Sequence, residues 1–460
     1  MIYSYIISDT IVALSSAAGR AAISIIRMSG EDSFSIINKV FKTNSNCNKQ
    51  VRYGHIISLN EVIDEVICVF FKSPYTYTGE NLVEICVHGN PLIIKSVLEL
   101  LCNTGARLAS PGEFTYRSFL NGKKDLIEAE SVCDIISSKT SKSTKFSLNN
   151  ISGVFSSKIK KIKNSLTMFL AFINASIDYP DENISTLSYI KKLDFYIEDI
   201  QNILDNYKIS SILQHGIKIP IIGKPNVGKS SLLNSILGKN RVIVTDIPGT
   251  TTDIIEETID YKGIQLTFVD TAGIRNITKN IIESLGQEKT KCIIKESKIL
   301  ITMFDISSGL NKDDFKIIKF LKKNVPCDAS IIAVFNKIDL LKNDNFDYSV
   351  INDSFIFTVK ISAKKQLGIV DLLDKIINII GVDEHNNDFF MINSRHYILL
   401  QNVLCSLKKA KDILFKNNNN VDEIIYIEIE NAQKTLNEIL GIGVNQDVLD
   451  TIFSTFCIGK

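Results

Sequence analysis

Between Gly223 and Ser230 the chain reads Gly-Lys-Pro-Asn-Val-Gly-Lys-Ser. The frame Gly-x-x-x-x-Gly-Lys-Ser wraps backbone N–H groups around a triphosphate. Gly223 and Gly228 let the backbone close on the anion with no Cβ in the way. Lys229 offers a point charge to the β and γ oxygens, and Ser230 a hydroxyl to Mg²⁺. Asn226, Val227, Gly228, Lys229, Ser230 and Ser231 are therefore the candidate phosphate-binding set. Asn226 is the informative residue. An amide oxygen there is a neutral, hard ligand beside the phosphates, which points to a second, monovalent cation. The competing role is a plain turn residue, for which Asn is well suited.

The loop has the neighbours such a site needs. Ile217, Ile219, Ile221 and Ile222 predict a buried strand before it. Ser231 to Leu237 predicts a helix after it, which puts the phosphates at a helix N-terminus. Downstream, Phe268-Val269 leads into Asp270-Thr271-Ala272-Gly273. Asp270 can reach Mg²⁺ directly or through water, and Gly273 frees an N–H for the γ-phosphate. A further apolar run, Ile331 to Phe335, ends in Asn336-Lys337-Ile338-Asp339. A carboxylate at Asp339 can accept both the N1–H and N2 protons of guanine, a donor pair that adenine lacks. Ser362-Ala363-Lys364 fits a second base-contact loop. Four elements in this order point to GTP as the bound nucleotide.

Composition sets the frame around that site. The chain has 460 residues, 45% hydrophobic and 22% charged, with a formal net charge of +1. These are globular proportions, long enough for several domains. The charge announces no nucleic-acid partner, so any basic surface is local, as in Lys158 to Lys163; the plainer role of that run is a solvated helix face. Nine cysteines with no Cys-x-x-Cys pair indicate free thiols in a reducing compartment, the cytoplasm. Met1 to Leu14 lacks a basic leader and is interrupted by Asp9, so an early strand is expected. No run of eighteen apolar residues suggests a membrane span.

The pattern along the chain predicts a multidomain fold. Residues 1–120 mix β-branched runs, such as Val66 to Phe71 and Leu82 to Val87, with helical stretches, an α+β domain. From 121 to 215 the period turns helical: Leu126, Ala129, Val132, Ile135 and Ile136, then Phe155, Ile159, Ile162, Leu166, Phe169 and Ile173, then Ile190, Leu193, Ile197, Ile200 and Leu204. Residues 216–381 form an α/β GTP-binding unit. After a polar hinge at Asp383 to Asp388, residues 382–460 return to helix. The simplest architecture is a GTPase inserted between two halves of one helical domain.

With these loops, several short signatures resemble the tRNA-modifying GTPase family called MnmE or TrmE along essentially the whole length. They are Asp9-Thr-Ile-Val12, Arg27-Met-Ser-Gly30, Tyr77-Thr-Gly-Glu80, His88-Gly89, Ser110-Pro-Gly-Glu-Phe114, Phe119-Leu-Asn-Gly122 and the terminal Cys457-Ile-Gly-Lys460. The resemblance implies a homodimer built through the N-terminal domain, with facing GTPase units activated by dimerising around K⁺. It implies an FAD-dependent partner protein in a heterotetramer, a tRNA substrate and a 5-formyl- or methylene-tetrahydrofolate donor. Together these install an aminomethyl or carboxymethylaminomethyl group at C5 of the wobble uridine, position 34. By motif match the folate contacts are Arg27, Glu84, Lys123 and Lys460. The chemistry suits them: a glutamate tail wants Arg or Lys, and a pterin amidine edge pairs with a carboxylate. Glu84 lies in an alternating strand and could equally face solvent; Cys457 could be a nucleophile or an ordinary small thiol. His88 is expected to be a structural turn residue.

The resemblance also bears on hydrolysis. After the Asp-x-x-Gly motif stands Ile274, where many small GTPases carry a water-orienting Gln. A K⁺ held by Asn226 could do the work of an arginine finger. The switch segment Thr245-Asp246-Ile247-Pro248-Gly249-Thr250-Thr251 joins the GTP site: Thr245, Ile247 and Thr250 complete the K⁺ shell, and Thr251 gives a hydroxyl to Mg²⁺ beside Ser230. Glu283 matches the acidic residue that orients water, so Glu283, Lys229 and Thr251 are the candidate catalytic residues. Thr252 stands where the family usually has Arg, Pro248 where a small residue is common, and Glu283 lies further from Asp270 than the family spacing. A different class of function, a ribosome-assembly GTPase switching on rRNA, would be expected to carry an RNA module after residue 380. No Gly-x-x-Gly loop with a basic face is found there.

Overall fold

Period-2 alternation builds the first of two seven-stranded sheets. Its strands are β1 (Ile11–Leu14), β2 (Ala21–Ser29), β3 (Phe41–Lys42), β4 (Val51–Ser58), β5 (Glu61–Phe71), β6 (Leu82–Gly89) and β7 (Arg107–Leu108). Along β5, Asp64, Val66, Cys68 and Phe70 are buried while their neighbours are not. The strand order is β3-β4-β5-β6-β2-β1-β7. All neighbours are antiparallel except β1 and β7. Helices Ser33–Val40 and Pro91–Asn103 cover one face, packing Ile36, Ile37, Val97 and Leu101 on Val12, Ile26, Val83 and Ile85. Asn90 caps the second helix by accepting the Leu92 N–H at 2.9 Å, with Pro91 at its first position. The computed structural model describes residues 9–43, 49–178, 186–238, 241–242, 255–270, 288–326, 329–341, 355–381, 389–414 and 421–460.

The helical runs fall where the 3.6-residue period puts them. Helices Leu126–Ser137, Val154–Asp178 and Thr186–His215 precede the GTP-binding segment, and Ser394–Leu414, Val421–Leu440 and Gln446–Ser454 follow it. The stripe Phe155, Ile159, Ile162, Leu166, Phe169 and Ile173 is buried, as are Val403, Leu407, Ala410, Ile425, Ile429 and Leu436. Two further helices, Glu113–Leu120 and Ser141–Ile151, carry no such stripe. The first is buried nearly all round, and the second is rich in Ser, Thr and Asn, poor helix formers.

The second sheet contains β8 (Ile217–Gly223), β9 (Arg241–Val242), β10 (Ile255–Tyr261), β11 (Ile264–Asp270), β12 (Ile299–Asp305), β13 (Ser330–Asn336) and β14 (Phe357–Lys360). Its order is β14-β13-β12-β8-β11-β10-β9. The five strands from β14 to β11 are parallel, and β10 runs antiparallel to β11 and β9. Parallel strands buried on both faces read as continuous apolar runs, which β8, β12 and β13 are. Helices Lys229–Leu237, Glu288–Glu296, Lys312–Asn324 and Ile369–Ile380 accompany it.

The chain divides into two units. One comprises Met1–Ser137, Ser147–Leu204 and Ser394–Lys460; the other comprises Ser138–Phe146 and Asp205–Asn393. The GTP-binding unit thus interrupts a unit that the last helices complete. It also takes in Ser138–Phe146, where the Phe146 and Phe389 rings lie 4.7 Å apart.

Candidate nucleotide and cofactor sites

In an open parallel sheet the strands deliver their ligand-binding loops at their carboxyl ends. Here Gly223, Asp270, Asp305, Asn336 and Lys360 end β8, β11, β12, β13 and β14. The register pairs Asp305 with Asn336 and Met303 with Gly223, so the phosphate loop after β8 and the base loop after β13 leave the same edge of the sheet on either side of β12.

Within the phosphate loop, Lys229 is buried and donates to the Gly223 carbonyl at 2.7 Å and the Lys224 carbonyl at 2.8 Å. Burial pushes its ammonium below the usual range, against the opposing pull of Asp270. Ser230 donates to Asp270 Oδ2 at 3.2 Å. Ser230 and buried Asp270 are thus together, a hydroxyl and a carboxylate that fit an Mg²⁺ shell of oxygen ligands. Gly228 and Lys229 open the helix Lys229–Leu237. Asn226 has φ +64, a left-handed conformation that Asn tolerates, and is exposed. Val227 is buried, and Ser231 accepts the Ser235 hydroxyl on its carbonyl at 2.8 Å.

The base loop is tied to the phosphate loop through one amide. Asn336 donates from Nδ2 to the Val227 carbonyl at 2.8 Å and accepts the Ala363 N–H on Oδ1 at 3.0 Å. Three predicted loops therefore meet at one buried side chain. Asp339 accepts the Ser362 hydroxyl at 2.6 Å, and that bond holds its carboxyl below the usual range. Ionised, it presents acceptors of the kind a guanine edge needs. Lys337 has φ +68 and pairs with Asp305, and Lys364 is exposed. The predicted residues Thr245, Asp246, Ile247, Pro248, Gly249, Thr250, Thr251, Thr271, Ala272, Gly273 and Glu283 lie outside the described residues, as do Thr252 and Ile274.

A second cluster sits in the other unit. Arg27 and Glu84 face each other across β2 and β6. Arg27 donates from Nε at 3.0 Å and Nη2 at 2.8 Å to Glu84 Oε1. The Tyr77 and Phe114 rings flank the guanidinium, at 5.3 and 5.8 Å. The last residues arrive at the same place. Ser15 donates to the Gly459 carbonyl at 3.0 Å, and the Phe114 N–H to the Lys460 carbonyl at 3.2 Å. Burial and the Arg27 charge lower the Lys460 ammonium, while Glu84 opposes them. Arg27, Glu84 and Lys460 thus share one electrostatic environment. Lys123 is exposed and lies beside Gly79, in the loop that carries Tyr77. The set suits a folate: two cations for a glutamate tail, a carboxylate for an amidine edge, and aromatic faces. Cys457 is free and exposed, and its carbonyl accepts the Gly112 N–H at 3.4 Å. His88 bonds Asp64 through Nδ1 at 2.6 Å, and its N–H bonds the same carboxylate at 2.8 Å; this anchors the end of β6.

Behind the cluster lies a charged network that spacing alone does not reveal. Arg117, 2% exposed, donates to Asp9 Oδ1 at 2.6 Å, Glu113 Oε1 at 3.1 Å and Glu80 Oε1 at 3.2 Å. Arg107 bonds Asp9 and Glu113 at 2.6 Å each. The signatures at Asp9, Glu80 and Glu113 are therefore one ion network, buried at Arg117 and Glu113 and partly exposed at Asp9, Glu80 and Arg107, that ties β1, the Tyr77 loop and the helix of Phe114 together. Their presence in separate short motifs was the only signal in the sequence.

Among the described residues, no helix is long and apolar enough to cross a membrane. A family profile described as MnmE helical domain matches residues 126–457, and one described as GTP-binding protein TrmE N-terminus matches residues 10–123. A tRNA modification GTPase MnmE from Endomicrobium trichonymphae is 56% identical over 462 residues, covering 99% of this chain and 100% of the relative. Relatives of the same name from Aquifex aeolicus and Thermotoga maritima are 39% and 40% identical; each match covers 98% of this chain and 100% of the relative. The site geometry and these full-length matches agree, and the chain belongs to the MnmE family of tRNA modification GTPases.

Proposed function

We propose that this GTPase is stimulated by K⁺ and works with an FAD-dependent partner protein and a tetrahydrofolate one-carbon donor. The product is a carboxymethylaminomethyl or aminomethyl group at C5 of uridine 34 in certain tRNAs. The observation that carries this is the convergence of Arg27, Glu84 and the Lys460 tail on one face of the N-terminal sheet. A GTPase needs no such cluster for hydrolysis; a protein handling an anionic, pterin-bearing cofactor does. The folate, when bound, supplies the one-carbon unit. Arg27 and Lys460 would hold its carboxylates, Glu84 its amidine edge, and Lys123 the rim beside Gly79.

For hydrolysis, Lys229 would offer positive charge to the β and γ oxygens, and Ser230, with Thr251, would hold a Mg²⁺ that would supply charge neutralisation there. Asn226, with Thr245, Ile247 and Thr250, would bind K⁺, and Glu283 would orient the water. Asp339 selects guanine. The working form in this proposal is a cytoplasmic homodimer assembled with the flavoprotein.

Two measurements test it. GTP turnover should rise strongly in K⁺ over Na⁺, and Asn226→Ala should erase the difference; equal wild-type rates in both salts would remove K⁺ from the mechanism. Wobble-uridine nucleosides from a deletion strain should lack the C5 substituent. Normal nucleosides there would favour a GTPase that switches on rRNA.

A further inference from the structure

The connection from β12 to the helix Lys312–Asn324 holds none of the predicted nucleotide contacts, yet it grips both nucleotide loops. At its start, Asp305 Oδ2 accepts the Lys337 ammonium of the base loop at 2.5 Å. Its other oxygen accepts the Ser307 N–H at 3.0 Å and the Ser307 hydroxyl at 2.5 Å, so the carboxylate is fixed before it meets the lysine. At the far end, Asp314 Oδ2 accepts the Lys224 ammonium of the phosphate loop at 2.7 Å. Asp314 is also locked: it is 2% exposed and closes a capping box with Asn311, accepting the Asn311 N–H at 3.0 Å. Both are charge-assisted bonds to partly or fully buried carboxylates, the stronger kind.

We propose that residues 305–314 act as a brace that sets the spacing between the guanine loop and the phosphate loop, with Asp305 and Asp314 as positioning residues acting through Lys337 and Lys224. This rests on the assignment of those two loops to GTP. The brace acts on ground-state nucleotide binding. Loss of either grip frees one loop relative to the other, so the second grip then has nothing to hold in register. The two effects therefore overlap. Two grips with no shared partner and no mechanical link would instead add.

The test uses full-length protein and a fluorescent mant-GDP probe. Asp305→Asn should raise the dissociation rate and the KM for GTP by about tenfold, the weight of one charge-assisted bond, with a far smaller change in kcat. Asp305→Glu should recover part of the loss. Asp314→Asn should act in the same direction, and the double variant should be clearly less than additive. If Asp305→Asn does not fold, Ser307→Ala removes one support of the carboxylate and should raise the dissociation rate a few-fold. Additive effects, an unchanged rate in Asp305→Asn, or an unchanged rate in Ser307→Ala would each overturn the brace. Failure of the wild-type chain to bind mant-GDP would overturn the loop assignment together with it.

Discussion

Gly228 shows how tightly one residue type can be required. Its φ is +102, and a Cβ there would stand 2.2 Å from Asn336 Nδ2. That amide links the phosphate, guanine and Ser362 loops, so the clash would fall on the joint of the site. Gly228→Ala should cut GTP affinity by at least about tenfold while the unit stays folded, read by mant-GTP titration beside circular dichroism. Asn336→Ala should do similar harm by a different route. It leaves the Val227 carbonyl and the Ala363 N–H without their partners, at about 1–3 kcal/mol for each buried group. A chemical-denaturation midpoint equal to wild type would contradict that loss.

At the scale of elements, the helical unit is closed by a buried charge. Glu130, on helix Leu126–Ser137, accepts two bonds from Arg395 at 2.8 and 2.9 Å and lies 2.7 Å from His396 Nε2. Arg395 also reaches the Glu438 and Ile439 carbonyls at 3.3 Å, so three helices share the joint. Burial raises the Glu130 carboxyl, but His396 and Arg395 outweigh it and hold it at about 2. Burial lowers the His396 imidazole, against the opposing pull of Glu130. A depressed carboxyl contributes stability above its ordinary value of 4.5, and loses it as pH falls through about 2. The share at stake is on the order of 3 kcal/mol. Urea midpoints should fall from pH 5 to pH 2 in the wild type. Glu130→Gln should begin lower at pH 7 and show a shallower decline; parallel curves would place the acid sensitivity elsewhere.

Over the whole molecule, the end of the chain is built into its beginning. A Cβ on Gly459, φ +90, would stand 2.1 Å from the Leu14 carbonyl. The strand end admits only glycine there, and the fit sets where Lys460 arrives. Gly459→Ala should displace the tail and weaken 5-formyl-tetrahydrofolate binding about tenfold or more, measured by calorimetry, with the KM for GTP unaltered. Equal folate affinity would separate the tail from the cofactor site. The GTP-binding unit has its own sheet and core, so damage to the tail should not reach it.

Local chemistry was legible in the sequence wherever function rests on backbone spacing. Gly223 to Ser230, Asp270, Asn336 to Asp339 and Ser362 to Lys364 each follow an apolar run, because a parallel sheet delivers its loops at strand ends. The amphipathic helices were legible for a similar reason: a buried stripe repeats with the helical period. Helices Glu113–Leu120 and Ser141–Ile151 were not, since one is buried nearly all round and the other has weak propensity. The sequence by itself therefore determined the loops at the strand ends from Gly223 to Ser230, at Asp270, from Asn336 to Asp339 and from Ser362 to Lys364, the two-part helical frame and the residue types of the second cluster. Only the tertiary structure decided that Asp9, Glu80, Glu113, Arg107 and Arg117 form one network, that Lys460 returns to Arg27 and Glu84, and that Asp305 and Asp314 reach into different loops. Ion pairs between distant segments have no period and no fixed spacing. Their partners are chosen by packing, and packing appears only when the chain is folded.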